Sequence, residues 1–298
     1  MLHFSCHSWK FILCFRKDKI LILIAMAILC LTACKDKEEY RFDTSYNKQA
    51  IRDFLTADAI YRDLFRQAYQ LSFDTSILKK GEGIIDSAIV KKQGEEWIFT
   101  YDKEQNCPDG SKRSGQFRIH WNAPLSDSNA QLTIFPQGLT INEKRIGGQI
   151  NITRISKPKV FYRVKVDTGS ISLVVAGYSK KQRIQYSSNY KYYWQKGSQT
   201  PYDIYDDVLY MYGIASGRGR EFDRFIYVTL DTLTYRFICH YPRGGKALFQ
   251  MPDFEINQMD LDYQKANECS AVVKATLWGL LPNGSKTKDE VVYFTISY

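Results

Sequence analysis

The sequence has no uncharged apolar stretch as long as the roughly 20 residues that a membrane-spanning helix requires. Its longest run of this kind, Ile20 to Ala33, has only 14 residues. Histidine and proline are also scarce, with 4 and 8 residues among 298, and glycine accounts for 18. These counts exclude a collagen-like or low-complexity chain and leave little material for a histidine-based metal site.

The composition is that of a globular protein. Hydrophobic residues make up 44% of the chain and aromatic residues 14%, which supplies the apolar surface that a disordered chain lacks. The formal net charge is +9, but the basic residues gather only in small clusters, such as Lys180, Lys181 and Arg183, or Arg218, Arg220 and Arg224. This pattern predicts a solvated basic surface and no nucleic-acid partner.

The amino terminus predicts a signal peptide over residues 1–33. Arg16, Lys17 and Lys19 precede the apolar run, which ends at the small residue Ala33, directly before Cys34. A basic flank, a short apolar core and a small-residue cleavage site are typical of such peptides.

The segment Leu31-Thr32-Ala33-Cys34 resembles the lipobox of bacterial lipoproteins. In that class the cysteine thiol receives diacylglycerol, the preceding peptide is removed, and the new amino terminus is acylated, for example with palmitate. The resemblance implies lipid attachment at Cys34, followed by a charged tether over residues 34–43. The membrane is therefore an expected partner, because several acyl chains hold a protein stably on a bilayer.

Seven cysteines are present, but Cys6, Cys14 and Cys30 belong to the signal peptide and Cys34 carries the lipid. The remaining three, Cys107, Cys239 and Cys269, allow one disulfide and one free thiol in an oxidising compartment. Spacing leaves all three pairings open. The pair Cys239 and Cys269 is favoured because both lie in or beside strand-like segments.

One long helix is predicted over residues 46–72, beginning at the N-cap triplet Asp43-Thr44-Ser45. Apolar residues recur there at alternating spacings of four and three, which places them on one face: Ala50, Phe54, Ala57, Tyr61, Leu64, Ala68 and Leu71. Charged residues lie largely on the other faces: Arg52, Asp53, Arg62, Asp63 and Arg66. We expect an amphipathic helix that covers a sheet, rather than a coiled coil or a partner-binding helix.

From Ile84 onward the apolar period changes to two, which indicates β-strands. The predicted strands are 97–101, 116–121, 131–135, 149–153, 160–166, 170–176, 209–215, 225–230, 234–240, 270–277 and 291–298. Turns are predicted at Asp109-Gly110, Gly147-Gly148, Asp167-Thr168-Gly169 and Asn283-Gly284. The expected fold is mainly β, an antiparallel β-sandwich or barrel-like sheets with one N-terminal amphipathic helix, in a single domain over 44–298.

Two segments, Cys107 to Gly115 and Leu139 to Gly148, resemble an uncharacterised family of β-rich lipoproteins of Bacteroidota. The first combines a cysteine, an Asp-Gly turn and a basic-Ser-Gly step, and the second is a hairpin. Similar features follow in 59–68, 213–217, around Cys239, and from Leu261 to Ala271, so the resemblance spans nearly all of the mature chain. It implies a β-rich fold anchored at the bacterial outer membrane, on either the cell surface or the periplasmic face.

The sequence predicts no metal and no cofactor. Only His120 and His240 remain after signal removal, and neither has a second strong ligand at metal-site spacing. The sequence also lacks a Gly-rich phosphate loop, a nucleophile elbow and a papain-like cysteine context.

Carboxylates are the only plentiful acid-base groups: Asp203, Asp206 and Asp207 in one loop, and Asp260 and Asp262 on one face of a possible strand. Paired carboxylates serve glycoside hydrolysis, and their oxygens also suit calcium. A carboxylate-dependent glycan hydrolase is therefore an alternative function, beside the simpler reading that these acids are solvated surface residues.

The most unusual composition is the tyrosine-rich segment from Tyr186 to Tyr212. If it forms a strand, four rings lie on one face: Tyr186, Tyr190, Tyr192 and Trp194. Amphipathic rings suit the face of a sugar or a protein partner, but they equally line a sheet beneath a helix. The sequence thus predicts a non-enzymatic binding or structural module for a glycan or protein partner, with these four residues as the contact hypothesis.

Overall fold

The computed structural model describes residues 44–157, 159–173, 183–200, 203–239, 241–264, 269–280, 284–287 and 289–297, without the side chains of 44–47. Residues Thr44–Tyr298 form one compact unit. The predicted signal peptide, the tether and Cys34 lie outside the described residues, as do Tyr202 and His240.

The described chain begins with two helices, α1 (Thr44–Phe73) and α2 (Thr75–Lys80). Sixteen strands follow in chain order: β1 Glu82–Ile85, β2 Ala88–Gln93, β3 Glu96–Asn106, β4 Lys112–Trp121, β5 Gln131–Ile141, β6 Lys144–Gly147, β7 Ile150–Ile155, β8 Phe161–Leu173, β9 Arg183–Lys196, β10 Val208–Arg218, β11 Arg224–Thr229, β12 Leu233–Arg236, β13 Lys246–Gln250, β14 Gln258–Asp262, β15 Val272–Trp278 and β16 Glu290–Thr295.

All of these strands belong to one antiparallel sheet. Its order is β1-β2-β3-β4-β5-β6-β8-β9-β10-β11-β13-β14-β15-β16, while β7 pairs with β5 and β8, and β12 pairs with β10. Strands that are adjacent in the sheet are mostly adjacent in sequence. The prediction of a mainly β fold with one long N-terminal helix is confirmed.

One predicted turn is wrong. The sequence places a turn at Asp167-Thr168-Gly169, between two separate strands, but β8 runs without a break from Phe161 to Leu173. The pairing of β8 with β9 shifts register between Val166 and Gly169. The turn-forming residues therefore produce a β-bulge inside a long strand instead of a reversal of the chain.

Helix α1 is enclosed by the sheet. Every residue from 57 to 69 is buried, so no face of this part of the helix is open to solvent. Near its start, Lys48 donates to Glu290 of β16 at 2.9 Å, and near its end Arg66 pairs with Asp86 in the turn between β1 and β2. Because α1 contacts both ends of the sheet order, the sheet curves around it, and the core lies between the two. This corrects the expectation that the helix covers a sheet with one apolar face.

The buried charged residues in the middle of α1 are paired in the interior. Asp58 forms an ion pair with Arg62 one turn later, and both side chains are almost fully buried. Asp63 accepts hydrogen bonds from Arg66 at 2.8 Å and from Arg113 of β4 at 2.9 Å. Buried charges are tolerated only when they are paired, so these contacts fix the helix against the sheet.

The segment from Cys107 to Gly115 positions Arg113 against helix α1. The Asp109 carboxylate accepts a hydrogen bond from the backbone N–H of Ser111 at 2.9 Å, which stabilises the turn. Arg113 then donates from Nε to the Ser111 hydroxyl at 2.8 Å and from Nη2 to Asp109. This turn holds the guanidinium in place for Asp63, which gives the segment a structural role.

Cys239 and Cys269 form a disulfide, the pair that the sequence favours. Cys107 is a buried free thiol, and burial raises the pKa of this group. It is therefore protonated at neutral pH and poorly nucleophilic.

Candidate functional site

Three tyrosines of β9 that the sequence singled out point into the core. Tyr186, Tyr190 and Tyr192 are each at most 3% exposed. The ring of Tyr186 stacks on Tyr61 of α1 with a centroid distance of 5.2 Å, and Tyr192 lies 4.8 Å from the ring of Phe65. Their role is to pack the sheet against the helix.

Trp194 is partly buried beside the same helix. Its ring lies 6.2 Å from that of Tyr69 and 6.1 Å from that of Phe73, and its indole N–H donates to Asp207 at 3.1 Å. The contact hypothesis is therefore wrong for Tyr186, Tyr190 and Tyr192, which line the sheet beneath the helix and present no ring face to a partner. For Trp194, which packs on the same helix but is only partly buried, it stays a prediction.

A small cavity lies among these buried rings, lined in part by Asp58, Arg62, Ser188 and Tyr190. Its volume is about 10 Å³, which is room for one water molecule at most. The interior therefore has no space there for a sugar or another organic ligand.

The opposite face of the same strands carries a second set of aromatic residues, which we call the outer aromatic row: Phe161, Tyr193 and Tyr212. The rings of Phe161 and Tyr193 stack at 5.1 Å, and those of Tyr193 and Tyr212 at 5.5 Å. The hydroxyls of Tyr193 and Tyr212 are 2.9 Å apart and share a hydrogen bond. Lys191 Nζ lies 5.5 Å from the Tyr212 ring centroid and 5.6 Å from that of Phe161.

The register of the sheet builds this row. Successive side chains of a strand point to opposite faces, so Lys191 and Tyr193 face outward where Tyr190 and Tyr192 face inward. On β10, Tyr210 lies opposite Tyr193. Three strands thus place rings side by side on the outer face.

Exposed apolar residues extend the row across the outer face of β10 and β11. Tyr210 is 36% exposed, Ile214 54% and Ile226 40%. Ile214 lies opposite Val228 of β11 in the sheet register. A contiguous apolar surface on a folded domain is a candidate for recognition.

The Tyr193 hydroxyl at the centre of the row is protonated at neutral pH. The hydrogen bond with Tyr212, together with burial, raises the pKa of Tyr193 to about 12. The row is therefore a neutral surface with polar tips, beside the positive charge of Lys191.

The carboxylates of the loop before β10 are engaged within the protein. Asp207 is fully buried and accepts hydrogen bonds from the Tyr69 hydroxyl at 3.0 Å and the Trp194 indole at 3.1 Å. Burial raises the pKa of Asp207 to about 7. Asp206 accepts from the Thr200 hydroxyl at 2.6 Å, and Asp203 accepts from a backbone N–H in its own loop.

The second carboxylate pair lies on β14, a different element. Asp260 is exposed and accepts a hydrogen bond from the Trp278 indole at 3.1 Å, while Asp262 is partly buried. The most perturbed acid, Asp207, is closed off from solvent. The geometry therefore gives no support to a hydrolytic pair among these residues.

Within the described ranges, no group of three or more histidine, cysteine, aspartate or glutamate residues is placed to hold a metal ion. His120 is an exposed residue of β4. No helix in the described part of the chain is both long enough and apolar enough to cross a membrane.

No known protein family, curated protein or solved structure matches this chain.

Proposed function

We propose that the protein is a lipid-anchored lipoprotein of the bacterial outer membrane, whose β unit is a non-enzymatic binding module for a glycan. The lipobox-like segment ending at Cys34 supports the anchor. Acylation there would hold the β unit at the membrane surface, because several acyl chains together give stable attachment.

The outer aromatic row is the observation that carries the binding role. Its three rings stand side by side on the outer face of β8, β9 and β10, with hydroxyl tips and the ammonium of Lys191 beside them. Amphipathic rings offer apolar surface together with hydrogen-bonding groups, the combination that a sugar ring presents in return.

The positions of the carboxylates favour a binding role for the protein over a catalytic one. A glycosidase requires two carboxyl groups that face the same bond across a cleft. Here Asp207 is buried against Tyr69 and Trp194, and Asp260 is bound to Trp278 on another strand.

The test is a glycan panel probed with the full acylated protein in detergent. We expect Tyr193→Ala to weaken binding about tenfold, because it removes the central ring of the row. Tyr293→Ala is the matched control, since Tyr293 is a 60% exposed tyrosine on the distant strand β16. Its affinity should equal that of the wild type.

Both variants should remain folded, because neither alters the core. Tyr193→Ala should lose about 1 kcal/mol of unfolding free energy, since it removes two ring contacts and one hydrogen bond. A wild-type protein that binds no glycan of the panel, or equal losses in the two variants, contradicts the proposal.

A further inference from the structure

A polar pocket opens on the outer face of the sheet, at the opposite end of β9 and β10 from the outer aromatic row. Its volume is about 330 Å³, within the range of small-molecule sites. Residues of four segments line it, among them Gln185, Ser187, Ser216, Arg218, Arg224 and Pro252. We call it the arginine pocket.

The sheet register sets the polar groups of this pocket in two rows. Gln185 of β9 lies opposite Arg218 of β10, which lies opposite Arg224 of β11. One step along the strands, Ser187 lies opposite Ser216. An amide, two hydroxyls and two guanidinium groups therefore face one shallow space. The Ser187 hydroxyl donates to the Asp167 backbone carbonyl at 2.8 Å, so it faces a ligand as an acceptor.

The two arginines create an excess of positive charge. Like charges directly opposite each other on neighbouring strands destabilise a sheet, so a counter-charge is expected. Asp253 supplies one, since it accepts hydrogen bonds from Nε of Arg224 at 2.8 Å and from Nη2 at 2.5 Å. Arg224, and to a smaller extent Arg218, lowers the pKa of the Asp253 carboxyl, so this carboxylate faces both arginines. Among the described residues, the Arg218 side chain has no hydrogen bond or ion pair, and it is exposed at the pocket.

We propose that the arginine pocket binds an acidic saccharide, with the carboxylate at Arg218 and the ring hydroxyls at Ser187, Ser216 and Gln185. A guanidinium presents a planar fork of donors that matches a carboxylate, and hydroxyl and amide groups both donate and accept hydrogen bonds, as sugar hydroxyls require. This inference rests on the proposed glycan-binding function and adds a second site, separate from the outer aromatic row, for the acidic class of glycan.

The experiment titrates the full acylated protein in detergent with a galacturonate tetramer and with its neutral methyl ester. We expect the acid to bind at least about tenfold more tightly than the ester, because only the acid makes a charge-assisted contact. Arg218→Gln should remove this preference, so that the variant binds the acid and the ester with similar affinity. Arg145→Gln, which takes the same charge from an exposed position of β6 outside the pocket, should change neither value.

The remaining outcomes overturn the inference in distinguishable ways. If acid and ester bind alike and Arg218→Gln has no effect, the arginine pocket is not the site, although glycan binding itself stands. If neither saccharide binds and the wider panel is also negative, the proposed function fails as well. If inorganic phosphate binds as tightly as the tetramer and with the same dependence on Arg218, the pocket is a simple anion site.

Discussion

The ion pair between Arg113 and Asp63 should be one of the contacts between α1 and the sheet that are most costly to break. Both side chains are 1% exposed, and Asp63 also accepts hydrogen bonds from Arg66 and Gln67. Burial alone would lower the pKa of Arg113, but Asp63, Tyr101 and Asp109 raise it above the ordinary value, so the guanidinium remains charged.

Arg113→Met should destabilise the protein strongly. The variant keeps a side chain of similar length but leaves Asp63 and Asp109 without their shared guanidinium. Removing one partner of a buried pair costs about 3–5 kcal/mol, because the other charge stays buried. Arg118→Met is the matched control on the same strand, since Arg118 and its partner Glu96 are 36% and 34% exposed. A pair of that kind contributes about 0–1 kcal/mol.

Urea denaturation followed by circular dichroism measures both free energies of unfolding. The result that refutes this reasoning is a loss for Arg113→Met of about 1 kcal/mol or less, within the range of an exposed pair. The slope of the unfolding free energy against urea should stay constant across the variants, so that a change in midpoint reports stability.

Three further predictions concern the core, the loop before β10 and the disulfide. Tyr192→Ala should cost about 3–5 kcal/mol of unfolding free energy, as for other large buried aromatics. The outer-face variant Tyr212→Ala should cost at most about 1 kcal/mol. Equal losses in chemical denaturation would show that the two faces are misassigned. Because burial raises the pKa of Asp207 to about 7, from about 4 in an unfolded chain, the folded state keeps a proton that the unfolded state releases. The stability contributed by this residue therefore falls as the pH rises from about 4 to about 7, and Asp207→Asn should gain stability relative to wild type over that interval in thermal melts; a difference independent of pH argues against it. Reducing the bond between Cys239 and Cys269, which are 30 residues apart, should lower the unfolding free energy by about 2–4 kcal/mol, and an unchanged urea midpoint under reductant would exclude this role.

The elements with a clear period could be predicted from the sequence. The alternating spacing from Ala50 to Leu71 indicates α1, which spans Thr44–Phe73. Alternation likewise indicates most of the long strands. The short strands β1, β2, β6 and β13 have four to six residues each and too few alternations to be recognised individually.

The burial of the charged residues of α1 could not be predicted, because charged residues usually mark a solvated helix face. Asp63 and Arg66 are buried only because Arg113 and Asp86 reach them from distant parts of the chain. Such pairings depend on how the sheet curves, which no local spacing reveals.

The sequence also did not reveal which aromatic residues of β9 face the core. A period of two separates Tyr190 and Tyr192 from Lys191 and Tyr193, but it does not say which set faces the core. Both faces of β9 carry aromatic residues, so hydrophobicity alone does not decide. The position of α1 decides, since Phe65 packs on Tyr192 and Tyr61 packs on Tyr186 of the same face. Tyr193 is left on the outer face, where it stacks on Phe161.

The intact mass of the protein extracted from membranes decides whether the β unit carries a lipid anchor. We expect a chain that begins at Cys34 and carries the added mass of a diacylglyceryl group and an amino-terminal acyl chain. The Cys34→Ala variant should lack both groups and keep residues 1–33, because removal of that peptide follows modification of the cysteine. A membrane-derived wild-type protein with an unmodified Cys34, or with residues 1–33 still attached, would rule out the anchor.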